Sequence, residues 1–195
     1  MTTAIQPLVV VQMHGEPGSG KSTLAKALGR ALSAVVIDKD VIKAALLRSD
    51  ISEHHAAPAV YEVFFALASD LARQGHSLIL DSPVYWPTIE ERGKKLAEDA
   101  HATPIMIECV CADRQELTGR LMTRETLESQ SKVPFEPQRA GVDFEPLSER
   151  LTLDTTRSLA DLVAEALHYI KSAASSRSPS ERSDLRLPTS ASPAQ

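Results

Sequence analysis

The chain has 195 residues, with 21 Lys and Arg against 26 Asp and Glu for a net charge of −5, and it is 43% hydrophobic and 24% charged. That is ordinary for a globular protein and enough for one domain with a sizeable core. The acidic balance argues against a broad basic surface for long nucleic acid, leaving at most one short oligonucleotide end, and no apolar run approaches the about 18 residues that would suggest a membrane span.

The N-terminus has no basic region before its short apolar stretch, so it does not read as a signal peptide. Leu8 to Met13 is apolar apart from Gln12 and reads as a buried strand, and a glycine-rich turn follows it. Lys21 to Leu32 places Leu24, Ala25, Leu28, Ala31 and Leu32 at helical spacing. Ala34 to Ile37 reads as a second strand ending at Asp38-Lys39-Asp40, and Val41 to Leu47 as a short helix. Pro58 to Gln74 is expected to form a longer helix with Val60, Val63, Phe64, Leu67 and Leu71 inward, closed by Gly75. His54 and His55 fall in the polar joint before it, as surface residues.

Ser77 to Leu80 reads as the third strand, ending at Asp81, and Thr88 to Ala100 as a helix. Pro104 to Cys111 is the fourth, and Asp113 is placed to cap a helix running to about Glu128. Cys109 and Cys111 would share one face of that strand as reduced core thiols, since a lone C-x-C lacks the second pair of a zinc site. Reduced thiols fit a cytoplasmic protein. Gln130 to Pro146 carries three prolines and no period, so a loop or small lid is expected at about 125–147. Arg150 to Leu153 reads as a short fifth strand and Thr156 to Lys171 as the last helix. Residues 172–195 are rich in Ser, Pro, Ala and Arg and are expected to form a disordered tail outside a domain of residues 1–171. Apolar strands alternating with helices indicate an α/β fold with a parallel sheet covered on both faces.

The turn after the first strand is Gly15-Glu16-Pro17-Gly18-Ser19-Gly20-Lys21-Ser22, which meets the spacing G-x-x-x-x-G-K-[ST]. Glycines there let successive N–H groups point inward at an anion, and the following helix adds its positive end. In such a P-loop the lysine, Lys21, reaches the β and γ phosphates, and the hydroxyl, Ser22, coordinates Mg²⁺. The expected cofactors are therefore ATP and Mg²⁺. The dinucleotide fingerprint G-x-G-x-x-G fails, because Thr23 stands where it needs a glycine.

Ligands of open α/β sheets bind beyond the carboxyl ends of the strands. Asp38, Asp40 and Asp81 all fall there, and any of them could orient an attacking hydroxyl or lie near the metal, with helix capping as the alternative for each and a turn as a further one for Asp38. Leu78-Ile79-Leu80-Asp81 has the form of a strand ending in a metal-side acid. Asp40 and Lys43 are three apart on one helical face, as a base and a cation turned to an acceptor or as a surface ion pair. Arg120 and Arg124 share a face before the expected lid and could close over a triphosphate. Tyr85 and Trp86, directly after Asp81, could line an acceptor pocket.

On these residues the chain resembles the small P-loop kinases grouped with the kinase half of phage polynucleotide kinase, chloramphenicol phosphotransferase and zeta-toxin-like enzymes, which often carry the label AAA family ATPase. The resemblance covers about residues 7–171 and rests on Gly15 to Thr23, Ile37 to Asp40 with Lys43, Leu80-Asp81, Arg120 with Arg124, and Leu153-Asp154-Thr155. It implies a P-loop NTPase three-layer α/β/α sandwich with five parallel strands in the order 2-3-1-4-5. It implies Asp40 as the general base, the two arginines on the donor phosphates, and Thr155 in the turn near the adenine. Lys43 stands where polynucleotide kinases have an arginine on the acceptor's phosphate, which counts against nucleic acid, since Lys lacks the bidentate grip. The function expected is transfer of the γ-phosphate of ATP to a hydroxyl of a small molecule. A 5′-hydroxyl polynucleotide kinase and a slow ATPase acting as a nucleotide-dependent switch are the alternatives.

Overall fold

A computed structural model describes residues 7–83, 86–123, 127 and 149–176. Five strands, β1 (Val9–His14), β2 (Val35–Asp38), β3 (Leu78–Asp81), β4 (Thr103–Val110) and β5 (Leu151–Asp154), form one sheet in the order β2-β3-β1-β4-β5. All four pairings are parallel, and Val11 stands level with Ile79 on one side and Ile105 on the other. This is the P-loop NTPase α/β fold, with the strand order the resemblance implied.

Among the described residues, six helices cover the sheet: α1 (Lys21–Leu32), α2 (Lys39–Arg48), α3 (Glu53–Arg73), α4 (Pro87–Asp99), α5 (Arg114–Thr123) and α6 (Leu159–Ser176). Alternation along the strands sorts the core into two layers. Val9, Val11, Met13, Ile79, Ile107 and Leu153 face α1 and α6. Val10, Leu78, Leu80 and Met106 face α3 and α4. A third, small cluster of Cys111, Leu117 and Leu121 lies under α5.

Several boundaries differ from the sequence reading for local reasons. Helix α2 begins two residues early, because Asp38 accepts from the Asp40 and Val41 amides and so closes its first turn. Helix α3 begins at Glu53, not Pro58. Ser52 opens it, its carbonyl accepting from the His55 and Ala56 amides at 2.9 and 2.8 Å, and Pro58 stands inside the helix at the cost of its own hydrogen bond. His54 and His55 therefore lie in its first turn, exposed. Val63 and Leu67 are 44% exposed, not inward, because the buried row runs through Ala56, Val60, Phe64, Ala68 and Ala72. Helix α6 starts at Leu159 behind Ser158, whose hydroxyl accepts from the Asp161 amide. It continues to Ser176, five residues past the expected end, since Ala174 extends the buried stripe of Leu162, Ala166 and Ile170. The expected lid and tail lie otherwise outside the described residues.

Candidate functional site at the carboxyl edge of the sheet

The turn leaving β1 is a cradle of backbone amides. Gly15 has φ +140, and a Cβ there would lie 2.4 Å from the Cys109 carbonyl oxygen, so the turn can press against β4 only as glycine. Gly18 has φ +84 and packs on α5, where a Cβ would stand 2.9 Å from Leu121 Cγ. Gly20 sits at the N-cap of α1 in the left-handed region. The Ser19 amide donates to Glu16 O at 3.1 Å, and the Ser19 hydroxyl is buried without a hydrogen-bond partner. A cavity of about 590 Å³ opens beside this turn, lined among others by Gly18, Lys21, Thr23, Arg120, Thr155 and Leu162.

Lys21 opens α1 and is only partly exposed. Desolvation pushes its ammonium below the usual lysine range, and the carboxylates of Asp81 and Asp40 pull it back up. Asp81, at the end of β3, is 3% exposed, with the Ser22 hydroxyl as its hydrogen-bonding neighbour. Burial raises its carboxyl to about 6, against the opposing pull of Lys21 and Ser22, with Asp38 and Asp40 pushing further upward. A buried carboxylate left open beside a serine hydroxyl is suited to a hard cation, and the residues fit Mg²⁺.

Asp38 resolves as the cap of α2. Asp40, in the first turn of α2, pairs with Lys39 at 2.9 Å. Burial, with the charge of Asp40 added, raises the phenol of Tyr61 in α3 to about 12. Lys43 pairs with Glu53, at the start of α3. Trp86 is 49% exposed at the N-cap of α4, where its carbonyl accepts from the Ile89 amide. Tyr85 and Arg124 lie outside the described residues, so the structure places neither the aromatic pair nor the arginine pair.

Arg120 of α5 reaches across to the turn after β5. It donates to Thr155 Oγ1 at 2.8 Å and Thr155 O at 2.7 Å, and it pairs with Glu116 at 2.6 Å. Thr155 in turn donates its hydroxyl to Val110 O at 3.1 Å and lies against Gly20. Glu16 of the cradle pairs with Arg114 at 2.6 Å. Cradle, α5 and the β5–α6 turn are thus tied to one another.

The sequence reading passed over a second polar group on the opposite face. His14 ends β1 and lies 3.5 Å from Glu108 of β4 through Nε2. Glu108 also holds Arg150 at 3.2 Å and accepts from Thr152 Oγ1 at 3.1 Å. Glu90 of α4 is 1% exposed and acts on His14 electrostatically. Burial lowers the His14 imidazole, opposed by Glu108. The available signal was a polar residue inside an apolar run, at Gln12, His14 and Glu108.

Residues 10–146 match the AAA domain family. The chain belongs to that family. Two curated relatives, uncharacterized proteins of Mycobacterium tuberculosis and Mycobacterium bovis, are 32% identical over 140 residues, covering 57% of this chain. The match spans only 28% of the length of those relatives. Among solved structures, a kinase candidate from Chloroflexus aurantiacus superposes with a TM-score of 0.65 at 24% identity, covering 87% of this chain and all of that one. A sugar kinase from Janibacter sp. follows at 0.63 and 19%, covering 87% and 98%. The APS kinase of Mycobacterium tuberculosis, in complex with AMPPNP and APS, gives 0.61 and 21%, covering 85% and 98%. These likenesses establish the fold.

Proposed function

We propose that the protein is an ATP-dependent phosphotransferase that moves the γ-phosphate to a hydroxyl of a small molecule. The observation that carries this reading is the placement of Asp40 and Asp81 within electrostatic reach of Lys21, the lysine of the cradle. A triphosphate held by Gly15 to Thr23 presents its terminal phosphate at Lys21, and two carboxylates stand there with distinct roles. Asp81 and the Ser22 hydroxyl would hold Mg²⁺, which neutralises charge on the phosphates. Among the described residues, no group of three or more His, Cys, Asp or Glu is arranged to hold a metal alone, so phosphate oxygens would complete the shell. Asp40 accepts the proton of the attacking hydroxyl beside its pairing with Lys39, since a carboxylate has several acceptor positions. Arg120 stabilises the donor phosphates after leaving Thr155 or Glu116, and Arg124 follows it on the same helical face by sequence. Thr155 borders the nucleoside.

Lys21→Ala and Asp40→Asn should each abolish label transfer from γ-labelled ATP to an acceptor found by screening. Loss of a general base costs about 10²- to 10⁴-fold. Asp40→Asn should leave ATP binding, measured by calorimetry, largely intact. Unchanged turnover in Asp40→Asn would remove Asp40 as the base. ATP hydrolysis stimulated by a protein partner, with no acceptor labelled, would replace transfer by a switch.

A further inference from the structure

The carboxyl edge has two sides. The nucleotide cavity lies toward α1 and α6, between Gly18, Thr155 and Leu162. In transfer between aligned oxygens, the attacking hydroxyl enters opposite the leaving group. That opposite side holds the start of α2, Tyr61 of α3 and the group built on His14 and Glu108. The edge between the two sides is poised for a ligand, because Asp81 is 3% exposed and has acceptor positions beyond the one Ser22 meets.

Three cations among the described residues of this side are closed by carboxylates: Lys39 by Asp40 at 2.9 Å, Arg150 by Glu108 at 3.2 Å, and Lys43 by Glu53. Lys21 belongs to the triphosphate. Glu90 adds one more buried carboxylate, and burial favours the neutral form of His14. An acceptor whose phosphate, sulfate or carboxylate draws on one of these cations must open its pair; at Asp40 and Glu108 the released carboxylate is left uncompensated in a partly buried place, and at the exposed Glu53 the pair alone is lost. A hydroxyl makes no such demand. It donates to a carboxylate oxygen while the ion pair stays closed, because each carboxylate has several acceptor positions.

We propose that the acceptor is an uncharged polyhydroxy compound, of the class of neutral sugars, polyols and nucleosides, and that the Glu108–Arg150 and Glu53–Lys43 pairs exclude acidic analogues. The inference rests on the kinase reading above and narrows it. Phosphate moves from ATP to an acceptor oxygen: the new O–P bond forms, the bond to the ADP oxygen breaks, and the hydroxyl proton passes to Asp40.

The test uses the full chain, γ-labelled ATP with Mg²⁺, and acceptors in matched pairs: sorbitol and gluconate, glucose and glucuronate, uridine and uridine monophosphate. The neutral member of the productive pair should be labelled with kcat/KM at least about a hundredfold higher than its acidic twin. Glu108→Gln, which frees Arg150, and Glu53→Gln, which frees Lys43, should each narrow that ratio by raising the rate on the acid. A merely damaged fold would lower both rates and leave the ratio alone. Preference for the acidic twin, or a ratio unmoved in both variants, overturns the inference and leaves the kinase reading standing. ATP hydrolysis with no acceptor labelled in any pair overturns both.

Discussion

Asp81 shows what one buried carboxylate imposes. Its carboxyl lies at about 6 in the folded chain, above its ordinary value, chiefly because burial disfavours the charged form. The folded state therefore binds this proton more tightly than the unfolded state does. The stability it brings is fully present below the ordinary carboxylate value near 4 and is lost as pH rises through about 6, by roughly 3 kcal/mol. Without nucleotide, Asp81→Asn should remove this component, so that the difference in melting temperature between variant and parent changes between pH 4 and 7. In the proposed mechanism the same proton competes with Mg²⁺. Below pH 6 the Mg²⁺ concentration for half-maximal turnover should rise about tenfold per pH unit. Mg²⁺ titrations at several pH values measure it, and an identical pH dependence in Asp81→Asn would show that the metal sits elsewhere. The residues of this centre divide by how they can be read. Gly15 to Ser22 declare themselves because a phosphate cradle needs its residue types at contiguous spacing. Asp38 could not be assigned between cap and catalyst, since the choice rests on whether its oxygen meets the Asp40 and Val41 amides in three dimensions. The Glu108 group stayed hidden because its members come from β1, α4, β4 and the approach to β5, and only the sheet order brings them together.

At the scale of elements, α4 is set on β1 by one close fit. Gly93 lies over Gln12, whose amide nitrogen donates to Ile89 O at 3.1 Å, and a Cβ on Gly93 would come 2.1–2.4 Å from the Gln12 side chain. Gly93→Ala should therefore cost about 1–3 kcal/mol through overpacking, read from the urea midpoint at unchanged slope. Gln12→Ala should also destabilise, by leaving the Ile89 carbonyl without its donor. The double variant should be more stable than the two losses added, because removing Gln12 gives the alanine room. Strict additivity would mean that the two residues do not meet. This contact also shows where periodicity stops being informative. An apolar run with one glutamine reads correctly as a strand, and α4 reads correctly as a helix. Nothing in either predicts that the glutamine is covered by a glycine and bonded to a carbonyl of α4. Helix α3 misled in another way: Val63 and Leu67 are apolar and at helical spacing, yet one row away from the buried positions 60, 64 and 68.

For the whole molecule, the central place of β1 puts the cradle between two unlike sides, the proposed nucleotide side toward α1 and α6 and the proposed acceptor side toward α2 and α4. The alternation of apolar strands and helices made the layered sheet legible, while the strand order needed the family resemblance, because crossovers of similar length are compatible with several orders. The same limit applies to where the domain stops. Composition changes near Lys171, but the packing stripe of α6 does not: Leu162, Ala166, Ile170 and Ala174 recur every fourth residue and all lie against the core. The hydroxyls of Ser175 and Ser176 donate back to the carbonyls of Lys171 and Ser172 at 2.8 and 3.0 Å, which supports the last turn locally. A chain ending at Lys171 would remove that turn and uncover apolar surface around Ala174. The loss is about 1 kcal/mol, a fall in melting temperature of about 2–4 °C. A chain ending at Ser176 should melt within about 1 °C of the full chain, since the remaining Ser- and Pro-rich residues carry little that could be buried. Thermal melts of the three lengths in one buffer decide it. Equal stability for both truncations would place the domain boundary at Lys171, where composition first put it, and a large loss at Ser176 would show that residues 177–195 pack on the domain.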